Sequence, residues 1–491
     1  MEALDWLVIG VFFLALIGII VWVVRQKQND SADYFLGGRD ATWLAIGASI
    51  FASNIGSEHL IGLAGAGASS GMAMAHWEIQ GWMILILGWV FVPFYTRSMV
   101  YTMPEFLERR YNPQSRTILS VISLVSYVLT KVAVTVYAGG LVFQQVFGIK
   151  ELWGIDFFWI AAIGLVVLTA LYTIFGGMKS VLYTSVLQTP ILLLGSLIIL
   201  VLGFKELGGW DEMMRVCGAV TVNDYGDTMT NLIRSNDDAN FPWLGALIGS
   251  AIIGFWYWCT DQFIVQRVLS GKNEMEARRG TIFGAYLKLL PVFLFLIPGM
   301  IAFALHQKYI GAGSEGFLPM LANGTANADA AFPTLVAKLL PAGVKGLVVC
   351  GILAALMSSL ASLFNSSAML FTIDFYKRFR PETPEKKLVG IGQVATVVIV
   401  ILGILWIPIM RSVGDVLYTY LQDVQSVLAP GIAAAFLLGI CWKRTSAQGG
   451  MWGLIAGMVI GLTRLGAKVY YSNAGEVADS TFKYLFYDMN W

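Results

Sequence analysis

The sequence predicts an all-α polytopic membrane protein, an inverted repeat of five plus five helices with two broken helices and an extra helix at each end. Three observations lead there. The chain is 57% hydrophobic and 13% charged over 491 residues, with a mean hydropathy of +0.70, whereas soluble proteins average about 25% charged residues. Apolar runs near the ~20 residues that cross a bilayer recur throughout. Two of those runs, near residues 50–62 and 254–262, carry polar residues in their middle.

Twelve spans follow in order: 6–24, 43–72, 77–96, 118–147, 156–175, 181–204, 242–266, 280–306, 344–376, 388–410, 416–440 and 448–466. The first follows Glu2 and Asp5 and precedes Arg25 and Lys27. A cleaved signal peptide has the opposite charge order, so this reads as a retained span with the N-terminus outside. That choice sorts nineteen Lys/Arg to cytoplasmic segments and eleven to external ones, leaving Lys131 and Lys288 within spans. The bias follows the positive-inside rule and suits a plasma-membrane protein. Loops 205–240 and 307–343 are external and soluble-looking, the first of them acidic.

Without the first and last spans, ten remain. Five per half, an odd number, gives the halves opposite orientations, the arrangement of inverted-repeat carriers. The expected organisation is 1–42 for the extra N-terminal span and its loop, and 43–204 for the first repeat. An external loop follows at 205–241, the second repeat at 242–440, and a C-terminal span and tail at 441–491. The last ten residues, Phe482 to Trp491, read as the approach to a further span. Cys217, Cys259, Cys350 and Cys441 are scattered, with no disulfide or metal-ligand spacing. A net charge of +1 gives no basic domain for nucleic acid, and no obligate protein partner is evident; the bilayer is the expected partner.

Candidate chemistry lies where polarity enters the spans, since such residues are expensive in hydrocarbon and mark functional sites. The stretch Ile50-Phe-Ala-Ser-Asn-Ile-Gly-Ser-Glu-His-Leu-Ile-Gly62 combines Asn54, Glu58 and His59 with a glycine and small hydroxyls that let a helix unwind and free its carbonyls for a cation. Helix packing explains Gly62, Gly65 and Gly67 but not those three polar residues together. Ala355, Ser358 and Ser359 are spaced i, i+3, i+4 and share one helix face. Two hydroxyls and a carbonyl there, facing carbonyls of the broken span, make a five-oxygen site. Oxygen ligands without a carboxylate suit a monovalent cation; the alternative is a Ser/Ala packing seam. Glu78, beside Trp77 and His76, offers acceptors next to an apolar ring, which suits sugar hydroxyls, or else belongs to an interfacial belt. Lys288, between Gly284 and Pro291, points to an internal face more than to snorkelling. Gln422 is one of several polar groups in Tyr418-Thr-Tyr-Leu-Gln-Asp-Val-Gln425. Tyr257 and Trp258, taken singly, are packing residues. Gly176-Gly-Met-Lys-Ser180 lacks the spacing of a phosphate-binding loop, Glu58-His59 is no zinc motif, and no feature points to an enzyme. Energy for transport must therefore come from something other than bound ATP.

The chain resembles the sodium/glucose cotransporters of the sodium–solute symporter family, and its sugar-transporting branch in particular. The resemblance runs from Asp33-Tyr-Phe-Leu-Gly-Gly-Arg39 to Phe436-Leu-Leu-Gly-Ile-Cys-Trp-Lys-Arg444. It is closest in Gly47-Ala-Ser-Ile-Phe-Ala-Ser-Asn-Ile-Gly-Ser57, Trp256-Tyr-Trp-Cys-Thr-Asp-Gln-Phe-Ile-Val-Gln-Arg267 and Ser358-Ser-Leu-Ala-Ser-Leu-Phe-Asn-Ser366. It implies sodium held by the carbonyls of Ala52, Ile55 and Ala355 and the hydroxyls of Ser358 and Ser359. It implies sugar against Asn54, His59, Glu78, Lys288 and Gln422, with Tyr257 closing the inner side and Trp258 nearby. Three departures stand out. Ser185, in Tyr183-Thr-Ser185, replaces the family's usual Asp. Gly254 replaces a frequent polar side chain one turn before the gate tyrosine, and Gln425 a frequent small hydroxyl. The expected function is sodium-driven import of a neutral sugar, a hexose such as glucose or galactose, with one sodium per sugar. The alternatives are the same fold carrying myo-inositol, an amino acid or a carboxylate, or an uncoupled sugar sensor.

Overall fold

The computed structural model describes residues 1–26, 28–56, 58–238, 240–321, 324–413, 417–473 and 481–483. Side chains at 145, 409–413, 417–424, 468, 469, 472, 473 and 481 lie outside that description, as does most of the tail after Phe482. The described chain is helical nearly throughout; its strands are one two-residue hairpin, Glu151–Leu152 with Ile155–Asp156. Nine helices among the described residues are long and apolar enough to cross a bilayer.

Helix α1 is Ala3–Val24, and α2 is the short Ser31–Leu36. The first interrupted span is α3, Trp43–Asn54, followed across the break by α4, Glu58–Ser98, which turns at Gly71. Next come α5 (Met103–Arg110) and α6 (Pro113–Gln144). Residues 156–175 and 181–204, read as two spans, form one run of helix, α7 (Phe157–Leu207), with a non-helical break at Gly177. At about 1.5 Å per residue its 51 residues cover two crossings. Gly177 has φ +54°, and a side chain there would collide with the Tyr34 carbonyl of α2. The loop that looked soluble contains α8 (Trp210–Gly218), which buries Met213 and Cys217.

The second interrupted span is α9 (Trp243–Thr260), then Asp261 in extended backbone, then α10 (Gln262–Leu269). The sequence placed this interruption within 254–262; the helix holds to Thr260 through a wider π-type turn and breaks at Asp261, inside that stretch. Then follow α11 (Glu274–Gly311), α12 (Ala331–Leu339), α13 (Val344–Phe379), α14 (Glu385–Val413), α15 (Leu417–Cys441) and α16 (Ala447–Asn473).

Small residues allow the close crossings that helices in lipid rely on. Cβ atoms on Gly67 and Gly299 would collide with the Leu296 and Ala64 carbonyls, so α4 and α11 touch backbone to backbone. The packing reading of Gly67 therefore holds. Gly71, at φ +74°, lets the loop between α7 and α9 dock, where Met72 N–H donates to the Met229 carbonyl at 2.8 Å.

The two interrupted spans meet at one end. Ala41 bridges Gly271, with Ala41 N–H donating to Ser270 O at 3.0 Å and Lys272 N–H to Ala41 O at 3.1 Å. Arg39 reinforces this junction, donating to the carbonyls of Val100 (2.9 Å) and Leu269 (3.4 Å). On this side the start of α3 and the end of α10 are clipped together.

Candidate functional site

The breaks in the two interrupted spans bring their polar residues together. The ladder of α3 ends where Ile55 N–H donates to Phe51 O, and helix resumes at Glu58. At this break Asn54 Nδ2 donates to the Tyr257 hydroxyl at 2.9 Å. Tyr257 and Trp258 meet edge to face at 4.8 Å between centroids, and Lys288 Nζ lies 5.6 Å from the Trp258 ring centre.

Glu78, for which an interfacial belt was the alternative to a sugar contact, is buried at 3% exposure, like Lys288. Lys288 Nζ lies 2.6 Å from Glu78 Oε2 and 2.9 Å from His59 Nε2, and His59 Nε2 lies 3.2 Å from Glu78 Oε1. A lysine ammonium has three donors and no acceptor, so it serves both neighbours at once. Removing one partner of such a buried pair costs about 3–5 kcal/mol, because the other charge is stranded.

Asn54, His59, Glu78, Tyr257, Trp258 and Lys288 line one cavity of about 50 Å³, together with Glu58, Trp77, Gln80, Ile253 and Gln425. The structure thus gathers six of the seven predicted substrate residues. The seventh, Gln422, lies on α15, and its side chain is outside the described residues. A larger groove of about 1130 Å³ between α4, α9 and α15 is walled mainly by apolar side chains such as Ile79, Leu247 and Leu437. The small cavity, with its carboxylates, lysine and amides, is where solute chemistry can occur.

Sequence reading flagged Glu58 only as part of the polar break and gave Gln80, Lys131 and Arg267 no role, yet all four stand in or against this site. Glu58 folds back over Gly56, and its Oε2 is buried without a hydrogen-bond partner among the described residues. Lys131 of α6 pairs with Asp261 at the second break (2.6 Å), below the Tyr257 ring, whose centroid is 4.8 Å from Nζ. The Tyr127 hydroxyl donates to the same carboxylate. The signal for Lys131 was the one that flagged Lys288, a charge inside an apolar run.

Of the predicted cation ligands, Ser359 meets the Ile55 carbonyl beside the first break. The Ser359 hydroxyl of α13 lies 2.7 Å from the Ser53 carbonyl and 3.4 Å from the Ile55 carbonyl. Ser358 Oγ lies 3.3 Å from Ser185 Oγ of α7. Ala52 and Ala355 are buried on the two facing elements. Ser53, whose carbonyl accepts from Ser359, was not anticipated. Neutral hydroxyl and carbonyl oxygens of this kind fit a hard monovalent cation. Close by, the fully buried Arg267 donates from Nε to Ser49 Oγ (3.1 Å) and Ser53 Oγ (3.0 Å).

Comparison with known proteins shows the family to which the chain belongs. Residues 34–457 match the model of the sodium:solute symporter family. The chain is 38% identical over 479 residues to human sodium/myo-inositol cotransporter 2, covering 95% of this chain and 70% of that protein. It is 37% identical over 482 residues to sodium/glucose cotransporter 4 of Danio rerio, covering 95% and 72%. Among solved structures, a Na+-coupled sialic acid symporter in a substrate-bound outward-open state superposes with a TM-score of 0.77. It is 22% identical, with 96% of this chain and 92% of that one covered. That likeness supports the inverted-repeat fold. The chain belongs to the sodium:solute symporter family, and sodium is its coupling ion.

Proposed function

We propose that this protein imports a neutral ring polyol, either a hexose or a cyclitol such as myo-inositol, by sodium-coupled alternating access at the plasma membrane, with its N-terminus outside. The observation that carries this reading is the Glu78–Lys288–His59 cluster facing Asn54, Tyr257 and Trp258. Carboxylate, ammonium and amide groups offer donors and acceptors to successive hydroxyls, and the indole offers an apolar face to a ring. Charges in and under the cavity cancel: Glu58, Glu78 and Asp261 against Lys131, Arg267 and Lys288. A neutral solute leaves that balance intact, whereas a carboxylate or amine would need a counter-charge. The names of the similar cotransporters, for myo-inositol and for glucose, agree with this class.

In this reading sodium is held by the carbonyls of Ala52, Ile55 and Ala355 and the hydroxyls of Ser358 and Ser359, between α13 and the first break. Binding there favours the conformation in which the broken helices present a preformed solute site, and it does so only by its differential affinity for that state. The solute contacts Asn54, His59, Glu78, Lys288 and Gln422, with Tyr257 and Trp258 beneath. The deciding experiment is uptake of labelled D-glucose and myo-inositol into proteoliposomes under inward sodium or potassium gradients. Uphill accumulation of one of them with sodium alone is expected; sodium-independent equilibration, or uptake of neither, would overturn the reading.

One sodium per solute is the expected stoichiometry. Ser185 supplies no carboxylate for a second ion, and the Thr184 hydroxyl is bonded back to the Ser180 carbonyl at 2.7 Å. Ser362 Oγ is engaged by Ser53 Oγ and the Ser358 carbonyl, each at 2.7 Å. Arg267 already brings a positive charge to this cluster. Accumulation should scale with the first power of the sodium gradient, and scaling with its square would require a second site.

A further inference from the structure

Gln80 carries a further inference, which rests on reading the cavity as a polyol site. It follows Glu78 by two residues, about 200° round the helix, which turns it toward α9, yet it still lines the cavity. Opposite stands Gly254, one turn before Tyr257. A Cβ on Gly254 would lie 2.8 Å from Gln80 Oε1 and 3.3 Å from Gln80 Cβ. The amide therefore occupies the space that a side chain at 254 would take. Gln80 Oε1 is itself buried and has no hydrogen-bond partner among the described residues. Buried polar atoms are nearly always paired, so one left over in a cavity wall calls for a partner from outside the chain. The cavity's strongest donor, the Lys288 ammonium, is engaged by Glu78 and His59.

We propose that the Gln80 amide is a specificity-determining contact that reads one hydroxyl of the transported polyol, and that the missing side chain at Gly254 is what admits it. An amide suits this role because it both accepts and donates, so it pairs with a hydroxyl in either sense and adds no charge to a balanced site. It also discriminates. A site built to hydrogen-bond a substrate hydroxyl rejects the analogue lacking it far more strongly than an apolar wall rejects an extra group. The recognised class is a neutral ring polyol with one hydroxyl directed at α9, beyond those that Glu78 and Lys288 engage.

The test uses the full chain in proteoliposomes under a sodium gradient, with whichever of D-glucose or myo-inositol it takes up. The monodeoxy analogues of that solute serve as competitors. In the unaltered protein one analogue should compete markedly worse than its siblings. Gln80→Ala should raise half-saturating solute roughly tenfold, about 1.4 kcal/mol, leave half-saturating sodium in place, and erase the handicap of that one analogue only. Gly254→Thr, which displaces the amide, should do the same, and the double variant should add nothing. Gln80→Met keeps the volume and repeats the test if the alanine variant fails to insert. A variant that keeps the full deoxy pattern, or weakens all analogues equally, overturns the assignment. Uptake of neither solute by the unaltered protein would instead bring down the polyol reading on which it rests.

Discussion

Asn54 and Tyr257 join the two broken helices through a single hydrogen bond, Asn54 Nδ2 to the tyrosine hydroxyl at 2.9 Å. Beneath the tyrosine ring lies the ion pair of Lys131 with Asp261. The bond thus couples the break at Ile55 to the break at Asp261, and the ring separates the cavity from the charges below it.

Tyr257→Phe keeps the ring and removes that bond. A net hydrogen bond contributes about 1 kcal/mol, so the balance between closed and open inner states should shift roughly fivefold toward open. Exit of preloaded solute from proteoliposomes should quicken accordingly, while half-saturating sodium changes little. Unchanged exit would mean that the bond does not hold the gate.

Ser359→Ala removes a hydroxyl that faces the carbonyls of Ser53 and Ile55. Bonds to charged groups contribute about 1.5–3 kcal/mol, so half-saturating sodium should rise about tenfold or more. Solute affinity at saturating sodium should move far less. Titrating sodium against solute uptake checks both, and an unaltered sodium dependence would exclude Ser359 from the cation site.

Glu78 and Lys288 form a buried pair whose members depend on each other. Glu78→Gln or Lys288→Met alone strands a charge and should lower stability by about 3–5 kcal/mol. The double variant strands none and should recover much of the loss, yet accumulate no solute. Thermal unfolding in detergent beside uptake separates the effects. A double variant that transports normally would remove the pair from the solute site.

The loop between α7 and α9 gives a dependence on pH. Burial pushes the Asp238 carboxyl up, but hydrogen bonds from Asn223 and the backbone N–H groups of Phe241 and Asn240, with the Arg234 charge, more than offset it, so its pKa is lowered. A group whose folded pKa is depressed contributes stability that is present above its unfolded value and lost as pH falls through the folded one. Arg234 also donates to the Ser70 carbonyl at the turn of α4. Loop protection against protease should therefore hold at neutral pH and fail in acid, and Asp238→Asn should flatten that profile. An unchanged profile in the variant would assign the transition to another group.

The apolar runs that become the long helices were legible in the sequence alone, because twenty-residue apolar runs are a local consequence of bilayer thickness. The break after Asn54 was legible for the same reason, since Asn54, Glu58 and His59 have no place in an unbroken span. The seam of Ser358 and Ser359 was legible from helical spacing. Tertiary structure decided the rest. Residues 156–204 join into one helix because Gly177 absorbs the kink against Tyr34. The second break falls at Asp261, where Lys131 and Tyr127 hold the carboxylate. Glu78 is a buried ion-pair partner only because Lys288 approaches from 210 positions along the chain. Gln80 acquires its meaning from an absent side chain at Gly254. Each of these depends on contacts between distant residues, and local hydrophobic pattern carries no information about which polar groups will meet across a cavity.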